Sequence, residues 1–131
     1  MTGVQTCALP ISIRLADTDG NAATVADPNW TPLAGNTPAD PSYPGAHSTI
    51  SAAGAAVLSS FYGKNQKFSV TSPALPGVTR SFTSFNGALT EAGLSRIYAG
   101  VHTRIDHEAG VKLGTQVADF VLRNALLPGH E

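Results

Sequence analysis

Apolar residues recur at helical spacing in three stretches of the chain, residues 47–62, 84–100 and 104–126. A period near 3.6 residues predicts an amphipathic α-helix in each stretch. The residues that form these faces are Ile50, Gly54, Val57, Leu58 and Phe61, then Leu89, Ala92, Arg96, Ala99 and Gly100, then Ile105, Ala109, Leu113, Val117, Phe120, Val121 and Ala125. We therefore expect an all-α fold, a helical bundle with long irregular loops.

Cap residues mark the ends of the predicted helices. Gly63 follows the first helix as a C-terminal cap, Ser84 can cap the second, and Pro128 and Gly129 end the third. The first helix is slim enough to pack closely on two sides, because it contains Ala52, Ala53, Ala55 and Ala56.

The segments before and between these helices are irregular in pattern. Residues 16–43 are dense in Pro, Gly, Asn and Asp and have no helical or strand period. Irregular segments of this length are usually functional or wrapped over a larger body. Residues 64–84 surround Pro73, Pro76 and Gly77 with short β-branched and aromatic runs, which predicts a loop with at most two strands.

Length and charge narrow the choice of partners. A chain of 131 residues suits one compact domain. Its 13% of charged residues is about half the usual share, so the surface is neutral or partly covered by something larger. A net charge of −1 offers no basic footprint for nucleic acid or anionic lipid, and no apolar run approaches the ~20 residues of a membrane span.

The first twelve residues are treated separately. Residues 2–11 resemble the in-frame translation of a sequencing adapter, so residues 1–12 are excluded from fold reasoning; the alternative is a short native tail. We expect residues 13–131 to be the truncated C-terminal part of a single domain, with any signal peptide missing and the compartment unassigned. The single cysteine, Cys7, allows no internal disulfide.

Two features invite a metal-site interpretation and fall short of one. Residues 17–21, DTDGN, resemble part of a calcium loop, but Leu15 and Ala26 occupy its first and last ligand positions, so a turn is the better interpretation. His107, Glu108 and His130 lack the i, i+4 histidine spacing of a zinc helix, so we interpret them as solvated surface.

The segment YPGAH, residues 43–47, leads into the small-residue helix. Gly45 and Ala46 would expose backbone N–H groups at the helix N-terminus, where the peptide dipoles favour an anion. His47 could exchange a proton with that anion. The alternative is that His47 is a structural histidine.

A second cluster surrounds His102. On one straight helix Arg96 and His102 would lie about 240° apart, so they can face a common ligand only if the chain bends at Gly100. Asp106 lies four residues after His102 and could accept from one ring nitrogen, leaving the other for a ligand. Alternatively, Thr103 and Asp106 form a capping box, and the sequence leaves both options open.

Together these residues resemble a known family. Residues 95–106, SRIYAGVHTRID, match the Ser-Arg, Gly, His and Asp signature of the type 2 phosphatidic acid phosphatase superfamily, which includes vanadium-dependent haloperoxidases. Residues 41–47 resemble its Pro-Ser-Gly-His motif, and the preceding ADTDGN and WTPL segments look most like bacterial haloperoxidase-like members. The resemblance covers about residues 13–126.

The resemblance implies a role for each site residue. His102 would bind the vanadium of vanadate in a haloperoxidase, or attack phosphorus in a phosphatase. Arg96 would hold the oxoanion oxygens, and the Gly45 N–H would add a backbone donor. His47 would act as acid–base, and Asp106 would orient His102.

The chain departs from the family pattern at two places. Gly45 and Ala46 replace the motif's Ser and Gly, which removes a hydroxyl donor. Adapter-like Ala8, Leu9 and Pro10 stand where the family has a Lys followed by Arg-Pro. Each charge-assisted contact to a buried anion contributes about 1.5–3 kcal/mol. We therefore expect this chain to bind vanadate or phosphate poorly and to have little or no activity.

The leading hypothesis is the C-terminal catalytic portion of a vanadium-dependent haloperoxidase-like enzyme that oxidises halide with hydrogen peroxide. One alternative is a phosphatase of the same superfamily with a phosphohistidine intermediate. Another is a non-catalytic helical binding module, in which His47, Arg96 and His102 would point away from one another. The sequence assigns neither the halide and organic substrate nor the oligomeric state.

Overall fold

The computed structural model describes residues 12–36 and 38–125. A 3-10 turn at Ala16–Thr18 is followed by α1 (Ala46–Tyr62), β1 (Phe68–Ser72), β2 (Leu75–Phe82), α2 (Phe85–Tyr98) and α3 (Arg104–Asn124). The predicted helical bundle is confirmed, with helix bounds within a few residues of those expected. Within the described ranges, no helix combines the length and hydrophobicity needed to cross a membrane.

Some predictions fall on residues outside this description. Of the adapter-like segment, residues 1–12, only Ser12 is described. The expected C-terminal features at Leu126, Pro128, Gly129 and His130 also lie outside the described residues.

Helices α1 and α3 pack against each other through small residues. The buried positions of α3 are Asp106, Gly110, Gly114 and Ala118, spaced four apart, and those of α1 are Ser48, Ala52 and Ala55. A methyl group on Gly114 would overlap the backbone carbonyl of Thr49. Small residues at this seam therefore let the two helix backbones approach closely.

The apolar faces predicted for α1 and α3 mostly lie away from this seam, which corrects the sequence interpretation. Ile50 is 74% exposed and Phe120 is 68% exposed. The other members with exposed side chains are Leu58, Phe61, Ile105, Leu113 and Val117. The physical reason is that helix contact here depends on backbone approach, and Gly, Ala and Ser permit it where larger apolar side chains do not.

Local signals fix the helix ends as expected. The Ser84 hydroxyl accepts a hydrogen bond from the Gly87 N–H at 3.0 Å and begins α2. Gly63 has φ +89°, a conformation that favours glycine, and ends α1. Thr103 begins α3 with a capping box that it shares with Asp106.

The fold is not purely all-α, because β1 and β2 form a small antiparallel hairpin. Phe68 lies opposite Phe82, and its ring centroid lies 5.1 Å from that of Phe85 at the start of α2. Arg80 on β2 forms an ion pair with Glu91 on α2. The two-stranded excursion expected within residues 64–84 is therefore confirmed, and the all-α class was too narrow.

Candidate functional site

Three residues distant in sequence meet at one small cavity. His47 from the first turn of α1, Arg96 from the last turn of α2 and His102 from the α2–α3 connection all line it. Its volume is about 40 Å³, so only a small ligand fits. The remaining lining residues are Pro38, Asp40, Pro41, Ala46 and Val101.

Gly100 provides the bend that brings Arg96 and His102 to the same cavity. It has φ +73° and lies between the end of α2 at Tyr98 and the start of α3. The Trp30 side chain packs against it: a methyl group on Gly100 would lie 3.0 Å from the indole ring. The long irregular segment before α1 thus supports the bend, and the sequence prediction of a turn at Gly100 is confirmed.

His102 is held as a buried and predominantly neutral imidazole. Only 9% of the residue is exposed, and burial lowers its pKa below the usual 6.5. The charge of Asp106 and a hydrogen bond to the Ser42 backbone act in the opposite direction, whereas Arg96 and His47 lower the pKa further. A neutral ring keeps a nitrogen lone pair available for a ligand at neutral pH.

Two buried polar atoms on residues that line the cavity bear on its fit to an oxoanion. Within the described part of the chain, Arg96 Nε and His102 Nδ1 have no hydrogen-bond partner. Buried polar groups are rarely left unpaired, and an acceptor in the cavity would satisfy the guanidinium. A guanidinium, two imidazoles and a helix N-terminus are a donor set that suits a small tetrahedral oxoanion.

Asp106 acts in the capping box, which answers the question that the sequence left open. Its Oδ2 accepts from the Thr103 N–H at 2.7 Å, and its own N–H donates to Thr103 Oγ1 at 3.2 Å. The same Oδ2 lies 3.8 Å from His102 Nδ1, which is too far for a hydrogen bond. Asp106 therefore influences His102 by charge, and the expected orienting hydrogen bond is not formed.

The Gly45 N–H is used inside the fold, which corrects its expected role as an oxoanion donor. It donates to the backbone carbonyl of Asp106 at 2.8 Å and joins the start of α1 to α3. Helix N-termini leave their first N–H groups without intrahelical acceptors. The backbone donors nearest the cavity thus belong to Ala46 and His47, which line it.

Sequence reasoning missed Asp40 as a cavity residue. Asp40 lies in the irregular segment before α1 and lines the cavity beside Pro38 and Pro41. Its distance of a few residues from the YPGAH segment was the signal that could have identified it. It adds an acidic residue to a wall whose other charged groups are Arg96 and, when protonated, the two histidines.

His107 is not the solvated surface residue that the sequence predicted. Its Nδ1 lies 2.8 Å from Ser48 Oγ, and its ring packs directly against Gly93 of α2. The next residue, Glu108, is exposed as expected. Helical spacing alone did not reveal this contact, because Gly93 creates space on a neighbouring helix.

The DTDGN segment forms a local turn, as the sequence interpretation favoured. Asp19 accepts hydrogen bonds from the Asn21 N–H at 2.7 Å and from the Thr24 hydroxyl at 2.8 Å. These contacts use the Asp19 carboxylate within the turn itself.

Comparison with known proteins adds an independent line of evidence. A family model described as the VCPO second helical-bundle domain matches residues 12–127. The fold is similar to the crystal structure of the first bacterial vanadium-dependent iodoperoxidase, with 39% identity and a TM-score of 0.68. That alignment covers 74% of this chain and 24% of the iodoperoxidase.

A holo-type bacterial vanadium-dependent chloroperoxidase is similar in fold, with 15% identity and a TM-score of 0.55 over 80% of this chain and 26% of that one. A comparison with curated proteins gave no match. The chain spans about a quarter of the length of the two solved structures. Because the family model covers nearly the whole of it, the chain belongs to the VCPO second helical-bundle domain family.

Proposed function

We propose that this chain supplies part of the vanadate site of a vanadium-dependent haloperoxidase. The observation that carries the proposal is the meeting of His47, Arg96 and His102 at one small cavity. Membership of the family and the 39% identity to a vanadium-dependent iodoperoxidase support the same reaction class. A non-catalytic module, whose polar residues would diverge, is not favoured by this convergence.

In this proposal His102 and Arg96 hold the oxoanion. His102 offers a neutral imidazole because burial lowers its pKa. Arg96 offers a buried Nε–H that lacks a partner among the described residues. Bound vanadate would supply Lewis acidity toward hydrogen peroxide. The positive end of the α1 dipole, at Ala46, adds to the attraction for the anion.

His47 is the proposed acid–base. It is exposed, unlike His102, and lies at the first turn of α1, where its ring can exchange protons with solvent. An imidazole has one nitrogen that can accept a proton and one that can donate it, so a histidine at this position can serve as both base and acid. His47 would take the proton of hydrogen peroxide and release it to water. The second substrate is a halide, and the relative's name makes iodide the first to test.

We expect weak oxoanion binding by this chain alone. Among the described lining residues Arg96 is the single permanent cation, and the acidic Asp40 opposes it. Inorganic vanadate titrated into the chain should bind with a Kd in the millimolar range. The chain lacks the family's Lys and Arg-Pro motif, and each missing charge-assisted contact removes about 1.5–3 kcal/mol of binding free energy. Vanadium-51 NMR measures this binding directly.

Matched variants test the assignment of the site. Arg96→Gln and His102→Asn should abolish the remaining binding, whereas Arg80→Gln, which changes an exposed arginine on β2, should leave it unchanged. Micromolar binding by the wild-type chain would contradict the expected weakness. Unchanged binding in the Arg96→Gln variant would remove the cavity from consideration.

A further inference from the structure

We infer that His107 is a positioning residue that holds the three helices of the site in register. The inference rests on the proposed function, since it concerns the alignment of the groups assigned there to the oxoanion. His107 is not a cavity residue, and none of its atoms needs to touch the ligand. It acts through Ser48 on α1 and Gly93 on α2, both of which it contacts from α3.

The first contact joins α3 to α1. Ser48 Oγ and His107 Nδ1 lie 2.8 Å apart, and Ser48 is only 3% exposed. Ser48 directly follows His47, so a hydrogen bond to its side chain restrains the helical turn that carries the proposed acid–base. Because its Ser48 end is buried, solvent competes less with this bond than with a bond at the surface.

The second contact joins α3 to α2. The His107 ring occupies the space that a side chain on residue 93 would need, which makes Gly93 a requirement for this arrangement. Gly93 lies three residues before Arg96, on the same side of α2. The ring therefore sets the position of the turn that presents the guanidinium. α2 has extensive contacts with α1 but few with α3. The His107 ring is therefore an important link between α2 and α3.

The third element is the position of His107 itself. It follows Asp106, whose carboxylate caps α3 and whose charge acts on His102. The His107 ring thus contacts the turn before Arg96 and the turn that carries His47. In the chain, His107 directly follows Asp106, the residue whose charge acts on His102. Loss of the Ser48–His107 bond should let these turns shift independently.

The test uses the whole chain labelled with nitrogen-15. Arg96 Nε–Hε and the backbone amides of Ala46 and His47 give NMR signals that report local geometry without any ligand. Ser48→Ala and His107→Leu remove the hydrogen bond from either side. His107→Leu should displace all three signals, and Ser48→Ala should displace Arg96 Nε–Hε, the signal remote from residue 48 in the chain. His107→Asn can still hydrogen-bond Ser48, and it should restore them toward the wild-type positions.

The same NMR signals are measured in a control variant, and they also define the result that would contradict the inference. Glu108→Gln, at an exposed neighbouring position, should leave the three signals in place. A role in stability alone would lower the urea midpoint of Ser48→Ala while the Arg96 Nε–Hε signal stays at its wild-type position, and that result would overturn the inference. Ser48→Ala removes one atom, so it offers a folded variant even if His107→Leu does not fold.

Inorganic vanadate provides a second measurement and separates this inference from the proposed function. If wild-type chain binds vanadate, Ser48→Ala should weaken binding about fivefold, the effect of one lost neutral hydrogen bond. Absence of any binding by the wild-type chain would count against the proposed function. The ligand-free NMR signals would still confirm or overturn the positioning role of His107.

Discussion

At the scale of single residues, burial and one bend turn common side chains into a candidate site. The sequence indicated that Arg96 and His102 can face a common ligand if the chain bends at Gly100, and the structure confirms that bend. The fate of the Gly45 N–H could not be identified in this way. Its acceptor is a carbonyl about sixty residues later in the chain, and no local pattern encodes that pairing.

The lowered pKa of His102 predicts a pH dependence of stability. The unfolded chain binds a proton at His102 near pH 6.5, and the folded chain binds it only at lower pH. The stability that comes with the neutral, buried ring is therefore fully present above pH 6.5, and the free energy of unfolding decreases as the pH falls below it. When urea unfolding is measured at about pH 7.5 and about pH 5.5, the free energy of unfolding should therefore decrease less between the two pH values in His102→Asn than in wild type. An equal loss in the two proteins would assign the acid sensitivity to the carboxylates that they share.

At the scale of elements, the helix ends and the close packing of α1 through Ala52 and Ala55 were predictable, whereas the large apolar faces were not. Ser84, Thr103 and Gly63 act through backbone groups a few residues away, so sequence spacing is enough to identify them. The choice of packed face depends on a partner helix. The seam between α1 and α3 uses glycine and alanine, which contribute little to a hydrophobic pattern, and the larger apolar stripes were therefore misassigned.

The seam predicts a sharp contrast between two glycines. Gly114→Ala should destabilise the chain by about 1–3 kcal/mol, because the new methyl group would overlap the Thr49 carbonyl across the seam. Gly54→Ala on α1 has open space around the added methyl and should stabilise the chain by about 0.5–1 kcal/mol through helix propensity. Chemical unfolding of both variants measures the difference, and equal effects would show that the seam tolerates expansion.

At the scale of the whole molecule, exposed apolar stripes accompany an unusually low share of charge. The low charge was already visible in the sequence and suggested a surface covered by something larger. The exposed apolar side chains of α1 and α3, which include Ile50, Ile105 and Phe120, are candidates for that covered surface. Exposed apolar residues that form a contiguous patch mark interaction surfaces.

The reaction itself is a prediction at this scale, since the chain spans about a quarter of its solved relatives. A longer gene product that contains this chain, supplied with vanadate and hydrogen peroxide, should oxidise iodide. Its His102→Asn variant should lose that activity. A parallel assay with a phosphate ester provides the comparison, and ester hydrolysis without halide oxidation would replace the haloperoxidase with the phosphatase.

The hydrogen bond from Gly45 to the Asp106 carbonyl has a consequence for redesign of the cavity. It fixes the start of α1, where Ala46 and His47 line the cavity, to the first turn of α3, which begins two residues after His102. Another part of the cavity wall, at Pro38, Asp40 and Pro41, belongs to no helix or long strand. Substitutions that allow a larger ligand or a different anion to bind should therefore be made in that loop, where the backbone can move without disrupting the packing of the helices.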